Sequence, residues 1–256
     1  MARRLLPPLY GAAVIALAAL SPVDAQTQAV SDSYEACMRL ARQEPAKGLS
    51  FARAWHKENG DTGARHCAGT ALAGLGKFAE AAAELESLAW ALPTTAPDRV
   101  RAQILAQAGR AWLDAGKLDQ SNALLTTAVD LAPNDPEIRI DRAVAHAAAG
   151  RYQDAVIDLS AALIADRESV DALVLRANAY RQSGRLELAR ADIERALAIA
   201  PGHAEGLLER GLLRQVSGDV AGARADWRTL IKLHGAQPAA DAARRHLQAL
   251  DGKAPR

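Results

Sequence analysis

Apolar and small residues recur along most of the chain in blocks that are typical of amphipathic α-helices. The stretch "AVAHAAAGRYQDAVIDLSAAL", from Ala143 to Leu163, shows the pattern, because helix-forming blocks lie on both sides of Gly150. Val and Ile are sparse, so a large β-sheet is not expected. The pattern predicts an all-α fold in which Gly150 ends one helix and permits a tight turn into the next.

Glycines mark a regular period. Gly116, Gly150, Gly184 and Gly218 follow one another at a constant interval, and Gly76 precedes Gly116 by a slightly longer one. Each glycine stands between two helical patterns, where a left-handed or strained backbone is needed to reverse the chain. The spacing therefore predicts a series of helix–turn–helix units.

Two further sets of residues keep the same register. Seven positions before the glycines stand Gly69, Gly109, Ala143, Ala177 and Gly211. Nine positions after the glycines stand Leu85, Leu125, Leu159, Ile193 and Trp227. The small residues let two antiparallel helices approach closely, and we expect the larger ones to fill space against the neighbouring pair.

In this register the sequence resembles the tetratricopeptide repeat family, whose pattern is W-x2-L-G-x2-Y, A-x3-F and P over about 34 residues. The stretches that carry the resemblance are "LAQAGRAW" (105–112), "LVLRANAY" (173–180) and "ALAIAP" (196–201). Departures are Arg167 and Gly235 in place of proline, and His146 and Arg214 in place of an aromatic residue. The resemblance implies an α-solenoid, a right-handed superhelix whose concave face is lined by the first helix of each repeat.

The period divides the chain into five full repeats with flanking segments. The repeats are predicted at 62–95, 102–135, 136–169, 170–203 and 204–237. The insert "APDRVR" separates the first two and lengthens either a loop or the start of the next helix. Residues 26–61 are predicted to form a degenerate helical pair, residues 238–250 a capping helix, and residues 251–256 a disordered tail.

The first 25 residues have the pattern of a signal peptide. Arg3 and Arg4 precede the short apolar stretch "LYGAAVIALAAL", and the small residues of "VDA" predict cleavage before Gln26. An uncleaved anchor is the alternative, although the apolar stretch is short for a membrane span. We therefore expect an exported bacterial protein, periplasmic or secreted, with no membrane span after cleavage.

Composition and motifs point away from catalysis and nucleic acid. Lys and Arg total 31, Asp and Glu total 30, and this balance gives no electrostatic footprint for nucleic acid. The motifs of hydrolases, nucleotide-binding loops, zinc proteases and Rossmann folds are missing, so we predict no enzyme, no catalytic residues and no cofactor. The tryptophans lie in apolar phase and are predicted to be core residues: Trp55, Trp90, Trp112 and Trp227.

The chain contains two cysteines, Cys37 and Cys67. In an oxidising compartment an even pair favours a disulfide, and two buried free thiols are the alternative. His66 stands beside Cys67, but adjacent residues of a helix point about 100° apart and are poorly placed to share a metal ion. We therefore predict a disulfide that links the N-terminal pair to the first repeat, and no metal site.

Arginines and aspartates also recur at the repeat period. The arginines are Arg142, Arg176 and Arg210, and the aspartates are Asp158, Asp192 and Asp226. One interpretation is an anion-binding ladder of arginines. The interpretation we favour, because the two sets share number and register, pairs each arginine with an aspartate of the same or the adjacent repeat.

A binding groove is predicted on the concave face that the resemblance implies. Its candidate residues are Arg110, Ile140, Val144, Val174, Asn178, Arg181, Leu208 and Leu212. The acidic edge is formed by Asp114, Glu137, Asp171 and Glu205. A partner with leucine-like anchors and some basic character fits such a groove. Alternatively, the C-terminal helix covers part of this surface or the chain dimerises through it.

These patterns favour a protein–protein interaction scaffold or adaptor that binds a peptide or protein without chemistry. Asn178 has no lysine beside it, so a carboxylate clamp resembling that of the co-chaperones in this family is not expected. A chaperone-like assembly factor for exported envelope proteins is the alternative, and an unrecognised hydrolase is a third hypothesis. The partner and the oligomeric state are not specified by the sequence.

Overall fold

The computed structural model describes residues 22–59 and 62–252, and these residues form thirteen α-helices and no strand. The helices are α1 (Pro22–Gln43), α2 (Pro45–Asn59), α3 (Thr62–Gly74), α4 (Phe78–Ala91), α5 (Asp98–Asp114), α6 (Leu118–Leu131), α7 (Pro136–Ala148), α8 (Tyr152–Ala165), α9 (Val170–Gln182), α10 (Leu186–Ile199), α11 (Ala204–Val216), α12 (Val220–His234) and α13 (Pro238–Asp251). Helices joined by short turns pack against each other as antiparallel pairs. The predicted all-α solenoid is confirmed.

The turn inside each repeat uses one backbone conformation. Gly76, Gly116, Gly150, Gly184 and Gly218 all have φ between +72° and +86°, a region that favours glycine. At the Gly150 turn, the amide of the next residue donates a hydrogen bond to the carbonyl five residues earlier, at 2.8 Å. This bond closes the first helix in the Schellman manner, so Gly150 ends one helix as predicted.

Small residues bring the two helices of a repeat into close contact. An added Cβ atom at Gly109 would lie 2.6 Å from Leu125 Cγ, and one at Gly211 would lie 2.2 Å from Trp227 Nε1. The larger residue therefore packs on the small residue of its own repeat. The expected packing against the neighbouring element is seen at the last repeat, where Trp227 also stacks on His246 of α13.

The insert between the first two repeats lengthens a helix. Helix α5 has 17 residues, whereas α3, α7, α9 and α11 have 13 each. Arg101, the last residue of the insert, donates hydrogen bonds to the carbonyls of Leu92 and Pro93 at 3.1 Å and also to that of Ala89. The insert thus supplies a cap for the C-terminal end of α4, where carbonyls lack helical partners.

The arginines and aspartates form ion pairs inside single repeats. Arg142 holds both oxygens of Asp158 at 2.7 Å, and Arg176 holds those of Asp192 at 2.7 and 2.8 Å. Arg210 contacts the Asp226 oxygens at 3.0 and 2.7 Å. The hydrogen bonds to Asp158 raise the pKa of Arg142. Pairing is confirmed, and it connects the first and second helices of the same repeat.

A disulfide joins the N-terminal helices to the first repeat. Cys37 in α1 and Cys67 in α3 are bonded and fully buried, with Cα atoms 6.1 Å apart. Both α1 and α2 contact α3, so this unit continues the array. Closing a loop with a sequence separation of 30 residues stabilises the folded state by about 3–4 kcal/mol through the entropy of the unfolded chain.

The array ends with α13, which packs on α11 and α12. Leu247 and Leu250 pack against the core, as expected for a capping helix. Residues 1–21 and 253–256 lie outside the described residues, and with them most of the predicted signal peptide and tail. Within the described part of the chain, every helix is too short or too polar to span a membrane.

Three of the four tryptophans are buried or partly buried. Trp55 and Trp227 are core residues, and Trp112 packs partly against the core and donates a hydrogen bond to Glu86 at 2.9 Å. Trp90 is 53% exposed, so its predicted place in the core is wrong. Its position in the repeat lies on the outer surface of α4, where the other repeats carry residues of any polarity.

Candidate protein-binding groove

The first helices of successive repeats form one continuous surface. Helix α5 contacts α7, α7 contacts α9, α9 contacts α11, and α11 contacts α13. The predicted groove residues lie on these helices at corresponding positions. We refer to this surface as the groove.

The apolar floor of the groove is formed by side chains that remain partly accessible. Ile140, Val144, Leu208 and Leu212 are partly buried, and all but Val144 also pack against the core below. Val174 is 6% exposed and belongs to that core, so it supports the floor and offers little free surface. The floor can therefore accept apolar side chains at its two ends, around α7 and α11.

A buried carboxylate connects two of the predicted groove residues. Glu209, 5% exposed, accepts hydrogen bonds from Asn178 Nδ2 at 3.1 Å and from Arg181 Nε at 2.5 Å. Asn178 and Arg181 are on α9 and Glu209 is on α11, so the three residues fix these first helices side by side. Asn178 and Arg181 are thereby committed to internal contacts.

An equivalent link joins α5 to α7. Arg110 forms an ion pair with Asp141, which occupies the same repeat position as Glu209, two repeats earlier in the chain. Burial raises the pKa of Asp141 to about 6, although Arg110 opposes the shift. The pair borders a cleft of about 790 Å³, which is also lined by Gln107 and Glu137.

At the N-terminal end, a partly buried histidine connects three helices. His66 Nε2 lies 2.7 Å from Gln107 Oε1, and its Nδ1 lies 2.7 Å from the Tyr34 hydroxyl. Because the amide oxygen only accepts, Nε2 carries the ring proton and Nδ1 accepts from Tyr34. Burial lowers the pKa of His66, which keeps the ring neutral at pH 7. The contact joins α1, α3 and α5.

The rim of the groove carries acidic side chains at one repeat position. Glu137, Asp171 and Glu205 occupy this position in three successive repeats, and all three are exposed. Asp171 accepts a hydrogen bond from His203 at 3.1 Å but keeps 77% of its side chain exposed. The groove therefore combines an apolar floor with a negatively charged rim, an arrangement that attracts positive charge.

Three residues that make polar contacts between helices were not anticipated from the sequence. Glu209, Gln107 and Tyr34 all bridge neighbouring helices. A sequence signal existed only for Glu209. The pairs Arg110–Asp141 and Asn178–Glu209 both join residues 31 positions apart, so the second pair repeats the spacing of the first. Among the described residues, no group of three His, Cys, Asp or Glu side chains is placed to hold a metal ion.

Comparisons with known proteins identify repeats in the middle of the chain. Sequence models of the tetratricopeptide repeat match residues 106–167 and 170–203. No curated protein matches the sequence. Together the two matched segments cover three consecutive pairs of helices, from α5 to α10, with the last pair matched as a single repeat.

Solved structures share the fold at low sequence identity. TTC0263, a thermophilic protein of Thermus thermophilus, is 21% identical with a TM-score of 0.55, covering 71% of this chain and 99% of its own. MamA is 19% identical with a TM-score of 0.55, covering 68% and 92%. YrrB is 19% identical with a TM-score of 0.53, covering 71% and 95%. These similarities show a common architecture.

Proposed function

The chain belongs to the tetratricopeptide repeat family, and from this premise we propose that it is an interaction scaffold whose groove binds a peptide segment of another protein. The observation that carries the proposal is the partly accessible apolar floor beside an acidic rim. Apolar anchors of a partner, such as leucine side chains, would pack on Val144 and Leu212.

Charge defines the partner more closely. The three rim carboxylates repeat at the same position of successive first helices, so a bound segment meets negative charge at each repeat. A partner with Lys or Arg residues next to its apolar anchors matches this pattern. YrrB, one of the similar structures, is a tetratricopeptide repeat protein with an unusual peptide-binding site. Its architecture gives a precedent for peptide binding.

A charged side chain on the apolar floor of the groove should weaken the capture of a partner. Val144→Asp and Leu212→Asp each place a carboxylate on the apolar floor, where an approaching apolar anchor would have to desolvate it. We expect each variant to weaken partner binding by about tenfold or more. The measurement is affinity capture from envelope extract, followed by titration of the captured partner's binding segment as a synthetic peptide.

The matched control is Leu233→Asp, which makes the same chemical change at a 54% exposed position on α12. It should leave capture unchanged. Identical captured proteins for the chain and both groove variants would reject the groove as the binding site. Capture of many unrelated unfolded chains, with suppression of their light scattering, would instead support the chaperone-like role.

We further propose that the protein is exported to the bacterial envelope. The signal-peptide pattern of the first 25 residues and the two bonded cysteines support this location, because disulfides persist in oxidising compartments. We expect protein isolated from the envelope to begin at Gln26 and to resist thiol alkylation until it is reduced. Mass spectrometry checks both; an N-terminus at Met1 together with freely alkylated Cys37 would contradict export.

A further inference from the structure

A histidine lies inside the third repeat, between α7 and α8. His146 is only 9% exposed, and it occupies the repeat position at which the neighbouring repeats carry the aromatic residues Trp112 and Tyr180. Its Nδ1 atom is buried and has no hydrogen-bond partner among the described residues. Its Nε2 atom lies 3.7 Å from Asp158 Oδ2, beyond the usual hydrogen-bond distance. The two helices thus bury an imidazole ring whose nitrogens are poorly satisfied.

The carboxylate nearest to the ring already accepts hydrogen bonds at both oxygens. Asp158 accepts two from Arg142, both at 2.7 Å, and one from Arg139 at 3.2 Å. Protonation of His146 turns both ring nitrogens into donors. To pair one of them with Asp158, the ring would have to compete with Arg142. A charged His146 therefore disturbs the ion pair that joins α7 to α8.

The charges around the ring oppose one another. The groups that face it are two arginines and two aspartates: Arg142 on α7, Arg151 in the turn, and Asp154 and Asp158 on α8. The other helices packed on α7 carry charged groups that act elsewhere: Asp130 of α6 acts on Arg142, Arg110 of α5 pairs with Asp141, and Arg176 of α9 pairs with Asp192. Burial is the largest effect, and it lowers the pKa of His146 from its ordinary value of 6.5.

We propose that His146 makes the α7–α8 pair an acid-sensitive element of the array, which is firmly packed while the ring is neutral and loosens when the ring is protonated. The direction follows from the burial of the ring, because His146 takes up a proton more easily in the unfolded chain than in the folded one. The neutral ring therefore contributes stability above pH 6.5, and this contribution is lost as the pH falls through the lower pKa of the folded state.

The position of His146 connects this acid sensitivity to the groove. Helix α7 also carries Ile140 and Val144 of the apolar floor. Loosening of α7 at low pH would release a partner from that end of the groove, a consequence that rests on the proposed function. The acid sensitivity itself belongs to the chain alone and is measured without a partner. Its failure would therefore be distinct from a failure of the groove to bind a peptide.

The test compares thermal melting of the full chain and of His146→Gln from about pH 8 to about pH 5. Glutamine keeps a polar side chain at this position but takes up no proton in that range. Other groups with shifted pKa values, Asp141, His66 and His246, are common to both chains, so the difference between the chains isolates His146. We expect the Tm of the wild type to fall by at least about 2 °C relative to the variant. His56→Gln removes an exposed histidine of α2 and is the matched control, which should follow the wild type.

Hydrogen exchange locates the effect within the array. At low pH the amides of α7 and α8 should exchange faster in the wild type than in His146→Gln, whereas those of α11 and α12 should exchange equally in both. If the glutamine variant does not fold, His146→Tyr introduces the residue that the next repeat carries at this position. NMR titration of the His146 ring in the wild type gives a direct readout. A ring pKa above 6.5, or a difference in Tm that does not change with pH, would overturn the proposal.

Discussion

Replacing Asp158 with alanine is expected to lower the free energy of unfolding by about 3–5 kcal/mol. Asp158 is 1% exposed and accepts hydrogen bonds from Arg142 at 2.7 Å and from Arg139 at 3.2 Å. The variant leaves the Arg142 guanidinium, whose side chain is 17% exposed, without its counter-charge. Urea denaturation followed by circular dichroism measures the loss.

Asp154→Ala on the same helix is the control, because Asp154 is exposed, whereas Asp158 is buried and forms ion pairs. Its effect should stay within about 0.5 kcal/mol. Asp192→Ala is the corresponding change in the next repeat. It should lower the melting temperature of the protein for the same reason as Asp158→Ala. Two results together would refute a structural role of the pairs. One is unchanged unfolding of Asp158→Ala and Asp192→Ala. The other is full reaction of Arg176 with a guanidinium reagent in the wild type.

Replacing Trp227 with alanine is expected to lower the free energy of unfolding by about 3–5 kcal/mol. Trp227 is fully buried, donates a hydrogen bond to the Leu208 carbonyl at 3.3 Å and stacks on His246 with ring centroids 5.0 Å apart. The variant leaves a cavity beside Gly211 and removes the stacking partner of α13. We expect urea unfolding at lower concentration and faster proteolysis of the C-terminal helix.

The pairing of small and large residues provides a compensation test for this prediction. Repeat 136–169 uses Ala143 and Leu159 where repeat 204–237 uses Gly211 and Trp227. Gly211→Ala alone should destabilise by about 1–3 kcal/mol because its Cβ meets the indole. The double variant Gly211→Ala/Trp227→Leu should recover part of the loss. Strictly additive effects of the two changes would contradict the contact.

Most of the architecture could be predicted from the sequence because its determinants are local to one repeat. The glycine at each turn specifies a backbone conformation, and the small residue seven positions earlier specifies how closely the two helices pack. The pairing of Arg176 with Asp192 followed from the same logic, since both residues recur at the repeat period. Elements that repeat can be compared with one another within a single sequence.

The contacts between repeats were harder to predict because they depend on the angle between neighbouring pairs. Glu209 receives hydrogen bonds from Asn178 and Arg181 of the preceding first helix, and no periodic pattern in the sequence identifies all three. Val174 illustrates the same limit: its repeat position is that of the partly buried Ile140, but Val174 itself is only 6% exposed. The link of Tyr34 to His66 starts from outside the periodic region.

The cap that Arg101 provides has a consequence for how this chain changes length. Extra residues are accommodated at a joint between hairpins, where one of them binds free carbonyls, while the spacing inside each of the five repeats stays constant. Joints are thus the places where evolution, or an engineer splicing in a reporter tag, can add sequence without disturbing the rest. A repeat, by contrast, keeps the same spacing from its small residue through its glycine to its larger residue in all five copies.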